Sequence, residues 1–458
     1  MTGTLIISAS GIRGIVGEGL TPDVVARYGA AFASWVSDQS GDPGFVLVGR
    51  DSRTSGSLLM DAVTAGIRSV GVGVRDMGVV ATPTGLLAVE ESEQAIGGLL
   101  VTASHNPAQW NGLKLVSREG RFLTPQHGRD VERRFRTGVP GAAWDSVGDR
   151  ATFEGASARH VERILGLGIL DREAIIRRGF RVALDCVRGA GVYTVPPLLE
   201  ELGCEVLGIE LEPDGRFPRA PEPVPKNLGG LGALVRREGA DMGFAVDPDV
   251  DRLALVDETG TPIGEDWTLS LAVELVGRLE PGPVVTNLSS SRSIEDAAAR
   301  VGVAFHRAPV GEANVVGRML EVGAVIGGEG NGGVIYPGLH LTRDAPLAAA
   351  LILQFMAATE KTLGQIVTER PGYRIVKDRL NRGGLDLVEV LGSLEDAAPE
   401  GVSCDTRDGL RLEWPDGACI HVRPSGTEPI LRIVAEAQQE QRANELSEWV
   451  RAAVCRAE

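Results

Sequence analysis

The sequence has few cysteines and no long apolar run. Its five cysteines, at positions 186, 204, 404, 419 and 455, lie far apart and form no Cys-x-x-Cys pair. We interpret them as buried or incidental thiols of a reducing compartment. The apolar runs fall far short of the ~20 residues that span a bilayer. The start of the chain also lacks a basic segment followed by an apolar block. We therefore expect a cytoplasmic protein with neither a secretory signal nor a membrane partner.

Positive charge is in deficit. The 46 lysines and arginines face 62 aspartates and glutamates, which gives a formal charge of −16. Such a charge argues against nucleic acid as a partner. An anionic substrate would have to be bound by local basic groups. Nearly all basic residues are arginines, so the four lysines, at positions 114, 226, 361 and 377, are conspicuous.

A pattern that recurs three times organises the chain. Each copy begins with an apolar strand that ends in a polar turn, at 46–51, 182–186 and 284–289. A helix-like stretch, a glycine and a short strand follow, at 70–72, 202–206 and 301–304. A third strand then closes the copy, at 95–102, 240–246 and 324–327. Alternation of this kind indicates α/β units with parallel strands.

The pattern ends near residue 370, where a smaller α+β segment begins. A chain of 458 residues is also long enough for three or four domains. We predict an α/β fold of three topologically similar domains, at 1–152, 153–256 and 257–369, with a fourth domain at 370–458. Ligand groups of α/β units collect beyond the carboxyl ends of strands, so the three closing loops should face one cleft.

The first closing loop is a serine turn. The apolar run 96–101 leads into Thr-Ala-Ser-His-Asn-Pro at 102–107, which presents the hydroxyl of Ser104. No Gly-x-Ser-x-Gly elbow surrounds the serine, which argues against an esterase. Lys114 follows closely, and its compact ammonium could approach a transferring phosphoryl group or take part in proton transfer.

The second closing loop carries three carboxylates at alternate positions, Asp247, Asp249 and Asp251. In extended backbone such residues face one way, so all three can bind one cation. Glu258 falls where a calcium loop has its last ligand. However, Arg252 stands where the sharp turn of that loop needs glycine, and a strand follows instead of a helix. We predict a Mg²⁺ site, to which a phosphorylated serine would add an oxygen ligand.

Two further loops suit anionic or polyhydroxyl ligands. Gly328 to Gly333 formally matches Gly-x-Gly-x-x-Gly, but no helix pattern follows it, so a dinucleotide site is not indicated. Glu329 and Asn331 could instead bind sugar hydroxyls, and a solvated glycine loop remains the alternative. The segment 423–429 offers backbone N–H groups, two hydroxyls and Arg423, with Arg432 nearby, as a site for a phosphate dianion. No Walker A sequence exists.

Basic groups near the N-terminus complete the candidate site. Arg13, in the loop 8–14, could stabilise negative charge on a phosphoryl group. The loop 49–56 is either a further basic loop or a solvated turn with a helix cap. His105 could orient the serine turn, with capping or packing as the alternative roles.

Together these segments resemble the α-D-phosphohexomutase superfamily, which includes phosphoglucomutase, phosphomannomutase and phosphoglucosamine mutase. The resemblance implies a phosphoryl group on Ser104, Mg²⁺ on the three aspartates and a sugar loop around Glu329. It also implies a site for the non-reacting phosphate, and Arg252 counts among the substrate-binding residues. The residues of that phosphate site would be Arg423, Ser425, Gly426 and Thr427, with Arg432.

The resemblance further implies the reaction. Phospho-Ser104 would give its phosphoryl group to a hexose monophosphate, and the 1,6-bisphosphate would turn and return the other phosphate. The mannose/glucose branch has Ser and His where this chain has Asn331 and Gly333, and a His where Glu312 stands, which leaves Lys114, and more speculatively His340, for proton transfer. The Glu-x-Asn-Gly-Gly and Asp-Pro-Asp forms resemble archaeal-type phosphoglucosamine mutases. We therefore expect interconversion of glucosamine 6-phosphate and glucosamine 1-phosphate, with glucose and mannose phosphates as the alternative substrates.

Two other function classes remain open. A metal-dependent sugar-phosphate phosphatase would use water as the acceptor, but it would gain nothing from the second phosphate site at 423–429. A non-catalytic sugar-phosphate binder would not need Ser104 and the full aspartate set. We expect a small-molecule sugar phosphate as the only partner, and a monomer or a homodimer.

Overall fold

The computed structural model describes residues 5–8, 11–381, 383, 386–425 and 430–457. These residues form two compact units. The first runs up to Thr268 and includes Asn331–Leu363, and the second consists of Leu269–Gly330 and the chain from Gly364 onward. Every helix of the described ranges is too short or too polar to cross a bilayer.

The first part of the chain folds around a seven-stranded sheet. Its elements are β1 (Ile6–Ser8), β2 (Gly11–Ile15), α1 (Pro22–Ser40), β3 (Phe45–Arg50), α2 (Gly56–Ser69), β4 (Gly73–Val79), α3 (Thr82–Glu91), β5 (Ala95–Val101), β6 (Trp110–Val116), α4 (Pro125–Thr137) and β7 (Arg150–Thr152). The strand order is β1-β2-β6-β5-β3-β4-β7. All seven residues of β5 are buried, as expected for an apolar run in a sheet covered on both faces. This strand delivers the serine turn.

The next part repeats the arrangement with fewer strands. Its elements are α5 (Ala156–Leu165), α6 (Arg172–Arg178), β8 (Arg181–Asp185), α7 (Val195–Glu201), β9 (Glu205–Ile209), α8 (Gly229–Glu238), β10 (Met242–Val246) and β11 (Leu253–Val256). The order is β11-β10-β8-β9, with β8 parallel to both β9 and β10 and with β11 antiparallel to β10. The aspartate loop lies between β10 and β11.

The third part contains α9 (Asp266–Leu279), β12 (Val284–Asn287), α10 (Arg292–Arg300), β13 (Phe305–Ala308), α11 (Glu312–Val322), β14 (Ile326–Glu329), β15 (Gly333–Ile335), α12 (Ala345–Thr359) and α13 (Leu363–Thr368). In the second unit, β12 lies between β13 and β14 and is parallel to both. In the first unit, α12 is buried over its first thirteen residues and packs on α5, α6 and α7. An apolar surface all round suits such a central helix.

The last part is an antiparallel sheet covered by helices. It contains β16 (Arg374–Asn381), α14 (Leu387–Asp396), β17 (Ser403–Asp405), β18 (Leu410–Glu413), β19 (Cys419–Pro424), β20 (Ile430–Ala437) and α15 (Glu440–Ala457). The order is β16-β20-β19-β18-β17. Val390, Leu394, Leu446 and Val450 of the two helices join the apolar cluster of the sheet.

The predicted fold class is confirmed: three α/β parts share one strand order, and an α+β part follows. In each repeat the first strand is central, between the second and the third. The first and third strands lie within two residues of their predicted positions, whereas the second strands begin later than predicted. The reason is that Gly71, Gly203 and Gly302 have left-handed φ values of 86°, 74° and 72°. These glycines end the preceding helices, and each strand starts only after that turn. The four domain boundaries stay a prediction.

Candidate active site

Ser104 lies in the turn after β5, with 5% of its surface exposed. Its φ of 51° is left-handed, a conformation that a residue with a side chain adopts only where its surroundings hold it. The Ser104 N–H donates to Thr102 Oγ1 at 2.9 Å. The Ser104 hydroxyl donates to Asp247 Oδ2 at 3.3 Å. The serine turn and the aspartate loop, 143 positions apart in sequence, therefore meet directly.

Arg53 holds the serine turn from behind. Its guanidinium is fully buried and pairs with Asp51 at 3.0 Å. It also donates to four backbone carbonyls of the turn, at residues 104, 106, 107 and 110, over 2.6–3.0 Å. Asp51 in turn accepts from the Thr102 hydroxyl at 2.7 Å. The loop 49–56 thus supports the serine turn through Arg53 and Asp51. Sequence reasoning left its role open.

The three aspartates are fully buried and are held by different partners. Asp247 Oδ1 accepts the backbone N–H groups of residues 251 and 252. Asp249 Oδ2 accepts from Lys114 Nζ at 2.6 Å and from the Thr82 hydroxyl at 2.8 Å. Asp251 Oδ2 accepts from Lys114 Nζ at 3.3 Å.

The remaining carboxylate oxygens fit a divalent cation. Asp249 Oδ1 and Asp251 Oδ1 are buried and have no hydrogen-bond partner within the described ranges. One oxygen from each of the three aspartates lies within 4.8 Å of the other two. Buried carboxylate oxygens without a hydrogen bond are costly unless a cation binds them, and a set of oxygen ligands alone suits Mg²⁺. The residues predicted from sequence as metal ligands can therefore hold a metal.

The electrostatics of the loop favour a bound cation as well. Burial, with Asp251 and Asp249 adding to it, raises the pKa of Asp247 well above its ordinary value. Burial also acts to raise the pKa of Asp249 and Asp251. There, however, several partners together outweigh burial, so both pKa values are lowered: Lys114, Asp247 and Thr82 act on Asp249, and Arg343, Lys114 and Arg252 act on Asp251. Protein cations thus compensate two of the three buried charges and leave the third opposed.

The shifted pKa values of Lys114 and His105 fix the charges of these two side chains at neutral pH. Burial lowers the pKa of Lys114, but Asp249 and Asp251 raise it by more, so the net shift is upward and the amine is an ammonium ion at neutral pH. Burial and Arg252 lower the pKa of His105 well below its ordinary value, so its imidazole is neutral. His105 Nδ1 lies 3.4 Å from Ser104 Oγ, which agrees with an orienting role.

Two other predicted basic residues, Arg13 and Arg252, lie at the serine turn and in the aspartate loop respectively. Arg13 Nη1 lies 3.4 Å from Asn106 Oδ1 in the serine turn. Arg252 pairs with Glu222 at 3.1 Å through Nη1, and its Nε is buried without a hydrogen-bond partner in the described part of the chain. Thr82 and Arg343 were missed by sequence reasoning. Neither belongs to a recognisable motif, and only the folded structure shows that they contact Asp249 and Asp251.

His340 lies in a cluster with His160 and Asp344. It is buried, and its Nε2 lies 2.8 Å from Asp344 Oδ2, which His160 Nε2 also contacts at 2.7 Å. Asp344 is in addition the N-cap of α12. These are hydrogen-bond distances, so the cluster ties α5 to the start of α12. These contacts give His340 a structural role, and its part in proton transfer stays a prediction.

Glu329 and Asn331 lie in different compact units. In the second unit, Glu329 is buried at the end of β14 and accepts from Asn287 Nδ2 at 2.8 Å and from Gly311 N at 3.1 Å. In the first unit, Asn331 Oδ1 lies 3.4 Å from Arg343 Nη1.

The predicted phosphate site lies in the second unit. Arg423, on β19, pairs with Asp408 at 3.0 Å and stands directly opposite Arg432 on β20. Two basic residues at one position of the sheet register suit a bound anion. Ser425 N donates to Ile430 O at 2.9 Å. Gly426 and Thr427 lie outside the described residues. Arg379, which sequence reasoning missed, stands opposite Arg432 on its other side.

Models of the phosphoglucomutase/phosphomannomutase domains match the chain in order. The α/β/α domains I, II and III match residues 4–140, 158–260 and 265–373, and the C-terminal domain matches residues 375–453.

Individual proteins are similar over nearly the whole chain. A probable phosphoglucosamine mutase of Methanopyrus kandleri is 38% identical over 95% of both chains. A phosphoglucomutase/phosphomannomutase of Thermococcus kodakarensis is 38% identical over 96% of both. The crystal structure of a family protein from Burkholderia thailandensis is 28% identical, with a TM-score of 0.86, and covers 99% of this chain and 97% of that one. The chain therefore belongs to the phosphoglucomutase/phosphomannomutase family and is a phosphohexomutase, an enzyme of the isomerase class.

Proposed function

We propose that this phosphohexomutase interconverts glucosamine 6-phosphate and glucosamine 1-phosphate through a phosphorylated Ser104 and a 1,6-bisphosphate. The observation that carries the mechanism is the 3.3 Å contact between the Ser104 hydroxyl and Asp247. It brings the one presented hydroxyl of the serine turn to a loop that can hold a cation. The similarity to phosphoglucosamine mutases supports the choice of sugar.

The chain's own residues account for most of the transfer. Phospho-Ser104 gives its phosphoryl group to the free hydroxyl of the hexose monophosphate. The bond from phosphorus to Ser104 Oγ breaks, a bond from phosphorus to the sugar oxygen forms, and the proton lost by the sugar hydroxyl is balanced by the proton that Ser104 Oγ gains. Phosphoryl transfer has a loose transition state, so positioning and charge neutralisation matter most. Arg53 fixes the position of the serine, and Lys114, with Arg13, supplies positive charge nearby.

The aspartate loop would hold Mg²⁺ through Asp247, Asp249 and Asp251, next to Ser104. When bound, the ion polarises the phosphoryl oxygens and stabilises their developing charge. Thr82, Lys114 and Arg343 fix the opposite carboxylate oxygens, so the ligand oxygens are oriented before an ion binds.

The second phosphate must be held while the first one reacts. We assign this task to Arg423 and Arg432 of the second unit, which stand opposite each other on neighbouring strands. The 1,6-bisphosphate has to turn end for end so that its original phosphate can return to Ser104. The net result is isomerisation with the enzyme phosphorylated again.

Two alternatives follow from particular observations. A relative equally similar to the chain is named phosphoglucomutase/phosphomannomutase, which supports glucose and mannose phosphates as substrates. A phosphatase would use water as the acceptor and would release inorganic phosphate. The paired arginines of the second unit favour the mutase, because hydrolysis needs no second phosphate site.

The test compares kcat/KM for the 6-phosphates of glucosamine, glucose and mannose, with 1,6-bisphosphate present and inorganic phosphate monitored in parallel. We expect glucosamine 6-phosphate to be preferred by at least about tenfold, equivalent to about 1.4 kcal/mol. A preference for glucose or mannose would refute the choice of sugar. Steady phosphate release in place of 1-phosphate formation would refute the mutase reaction.

The role of Ser104 is tested by substitution. Ser104→Ala should lower kcat by at least about 10⁴-fold, since removal of a covalent nucleophile has effects of that order or more. The matched control is Ser146→Ala, because Ser146 is an exposed serine of the same unit and should leave turnover unchanged. Intact-mass analysis of fresh protein should show a phosphate that is lost in Ser104→Ala only.

A further inference from the structure

Arg343 sits at a fixed point between β15 and α12. The next residue, Asp344, donates its N–H to Val334 O at 2.9 Å, and Ala345 donates to Val250 O at 3.2 Å. Val250 belongs to the aspartate loop. The backbone that carries Arg343 is therefore attached to a strand on one side and to the aspartate loop on the other.

The side chain of Arg343 connects two loops of the site. Its Nη2 donates to Asp251 Oδ2 at 2.7 Å, and its Nη1 lies 3.4 Å from Asn331 Oδ1. Only 9% of the side chain is exposed, and Asp251 is fully buried. A planar guanidinium can contact two acceptors in fixed directions, which the single ammonium of lysine cannot do in the same way.

Gly333 leaves the space that Arg343 uses. A Cβ atom at position 333 would lie 2.3 Å from Arg343 Cδ and 2.9 Å from its Cγ. The φ angle of Gly333 is not positive, so its backbone conformation does not demand glycine. In a strand, such a glycine marks a close approach by another group. A side chain at 333 and the observed position of Arg343 exclude each other.

We propose that Arg343 is a positioning residue of the cation site, and that Gly333 is part of the same device because it makes room for the arginine side chain. Arg343 and Lys114 hold Asp251 Oδ2, so that Asp251 Oδ1, which accepts no hydrogen bond among the described residues and lies 3.7 Å from Arg252 Nε, is available to the cation. The contact with Asn331 holds that residue against the same guanidinium. The inference rests on the proposed function of the aspartate loop as a cation site, and it is tested through cation binding.

The experiment is a double-mutant cycle read by Mn²⁺ binding, measured by electron paramagnetic resonance on the purified full chain. Arg343→Met and Gly333→Ala should each weaken Mn²⁺ binding by about 10- to 100-fold, as loss of residues that orient metal ligands does. The double variant should be no weaker than Arg343→Met, because both changes remove the same contact. Gly230→Ala is the matched control, since a Cβ there meets no atom within 4 Å.

Unchanged Mn²⁺ affinity in Arg343→Met, or losses that add in the double variant, would overturn the proposal. Should Arg343→Met not fold, as judged by circular dichroism, Arg343→Lys and Gly333→Ala carry the comparison, and full affinity in either overturns it. A wild type that binds Mn²⁺ but does not isomerise hexose phosphates contradicts the proposed reaction and leaves the cycle valid. A wild type without Mn²⁺ binding refutes the cation site itself.

Discussion

Replacement of Arg53 by methionine should show how much Arg53 stabilises the serine turn, because it leaves Ser104 itself unchanged. Arg53→Met keeps an unbranched side chain of similar length but removes the charge that pairs with Asp51 and the donors to four carbonyls. Loss of one partner of a buried ion pair costs about 3–5 kcal/mol. Asp51 can limit the loss by taking up a proton, because burial already raises its pKa. The four freed carbonyls add a cost of about 1–3 kcal/mol each where water cannot reach them.

We therefore expect the free energy of unfolding of Arg53→Met, from urea titration followed by circular dichroism, to fall by at least about 3 kcal/mol. Hydrogen exchange should accelerate first at residues 102–111, because the turn loses its support there. The free energy of unfolding of Arg53→Lys should lie between those of the wild type and Arg53→Met, since lysine keeps the charge but cannot reach all five acceptors.

The matched control is Arg75→Met, in which a half-buried arginine loses its pair with the exposed Asp149. The expected change there is about 1 kcal/mol or less. If Arg53→Met keeps wild-type stability, wild-type exchange at 102–111 and full phosphorylation of Ser104, the assignment of Arg53 as the support of the turn is wrong.

Three further changes test neighbouring contacts. Lys114→Met should lower kcat by at least about 10²-fold with little change in KM, since it removes charge near the reacting group; steady-state kinetics checks this. Thr82→Val keeps the shape of the side chain but removes a hydrogen bond to Asp249, so calorimetry should show about tenfold weaker Mn²⁺ binding. Asp344→Asn should cost about 3–5 kcal/mol at pH 7. His160 and His340 lower the pKa of Asp344 against the effect of burial. The contribution of the Asp344 carboxylate to the free energy of unfolding is therefore fully present above the pKa of about 4 that aspartate has in the unfolded chain. It is lost as the pH falls through the lower pKa that Asp344 has in the folded protein. Urea titrations at pH 7 and pH 3 should show a smaller loss at pH 3.

The sequence predicted the parts of the site that lie on short segments with unusual composition. The serine turn and the three alternating aspartates carry their chemistry within a few residues each, and their positions after strands could be read from apolar runs. The pairing of Arg53 with the turn could not be predicted, because its four carbonyl acceptors have no sequence signature. The same holds for Thr82 and Arg343.

Histidine was the residue type whose role was least readable. His160 and His340 share one carboxylate, and His421 lies 2.8 Å from Ser289 and 2.7 Å from Asp408 O. No regular spacing in the sequence predicts such contacts, since most of the partners come from distant segments. An isolated histidine in a sequence therefore says little about whether it titrates, binds or packs.

The overall charge of −16 and a site for anionic substrates coexist because the charges are sorted locally. Around the aspartate loop, Lys114 and Arg343 bind the outer oxygens of the carboxylates. Asp249 Oδ1 and Asp251 Oδ1 stay buried without a hydrogen-bond partner among the described residues, and Asp251 Oδ1 lies 3.7 Å from Arg252 Nε. If the protein cations paired with every oxygen, no divalent ion would bind; if they paired with none, three buried carboxylates would repel each other too strongly to stay ionised. Pairing one oxygen of a carboxylate and leaving the other satisfies both demands. The position of Lys114 and Arg343 is thus as much a condition for cation binding as the three aspartates themselves.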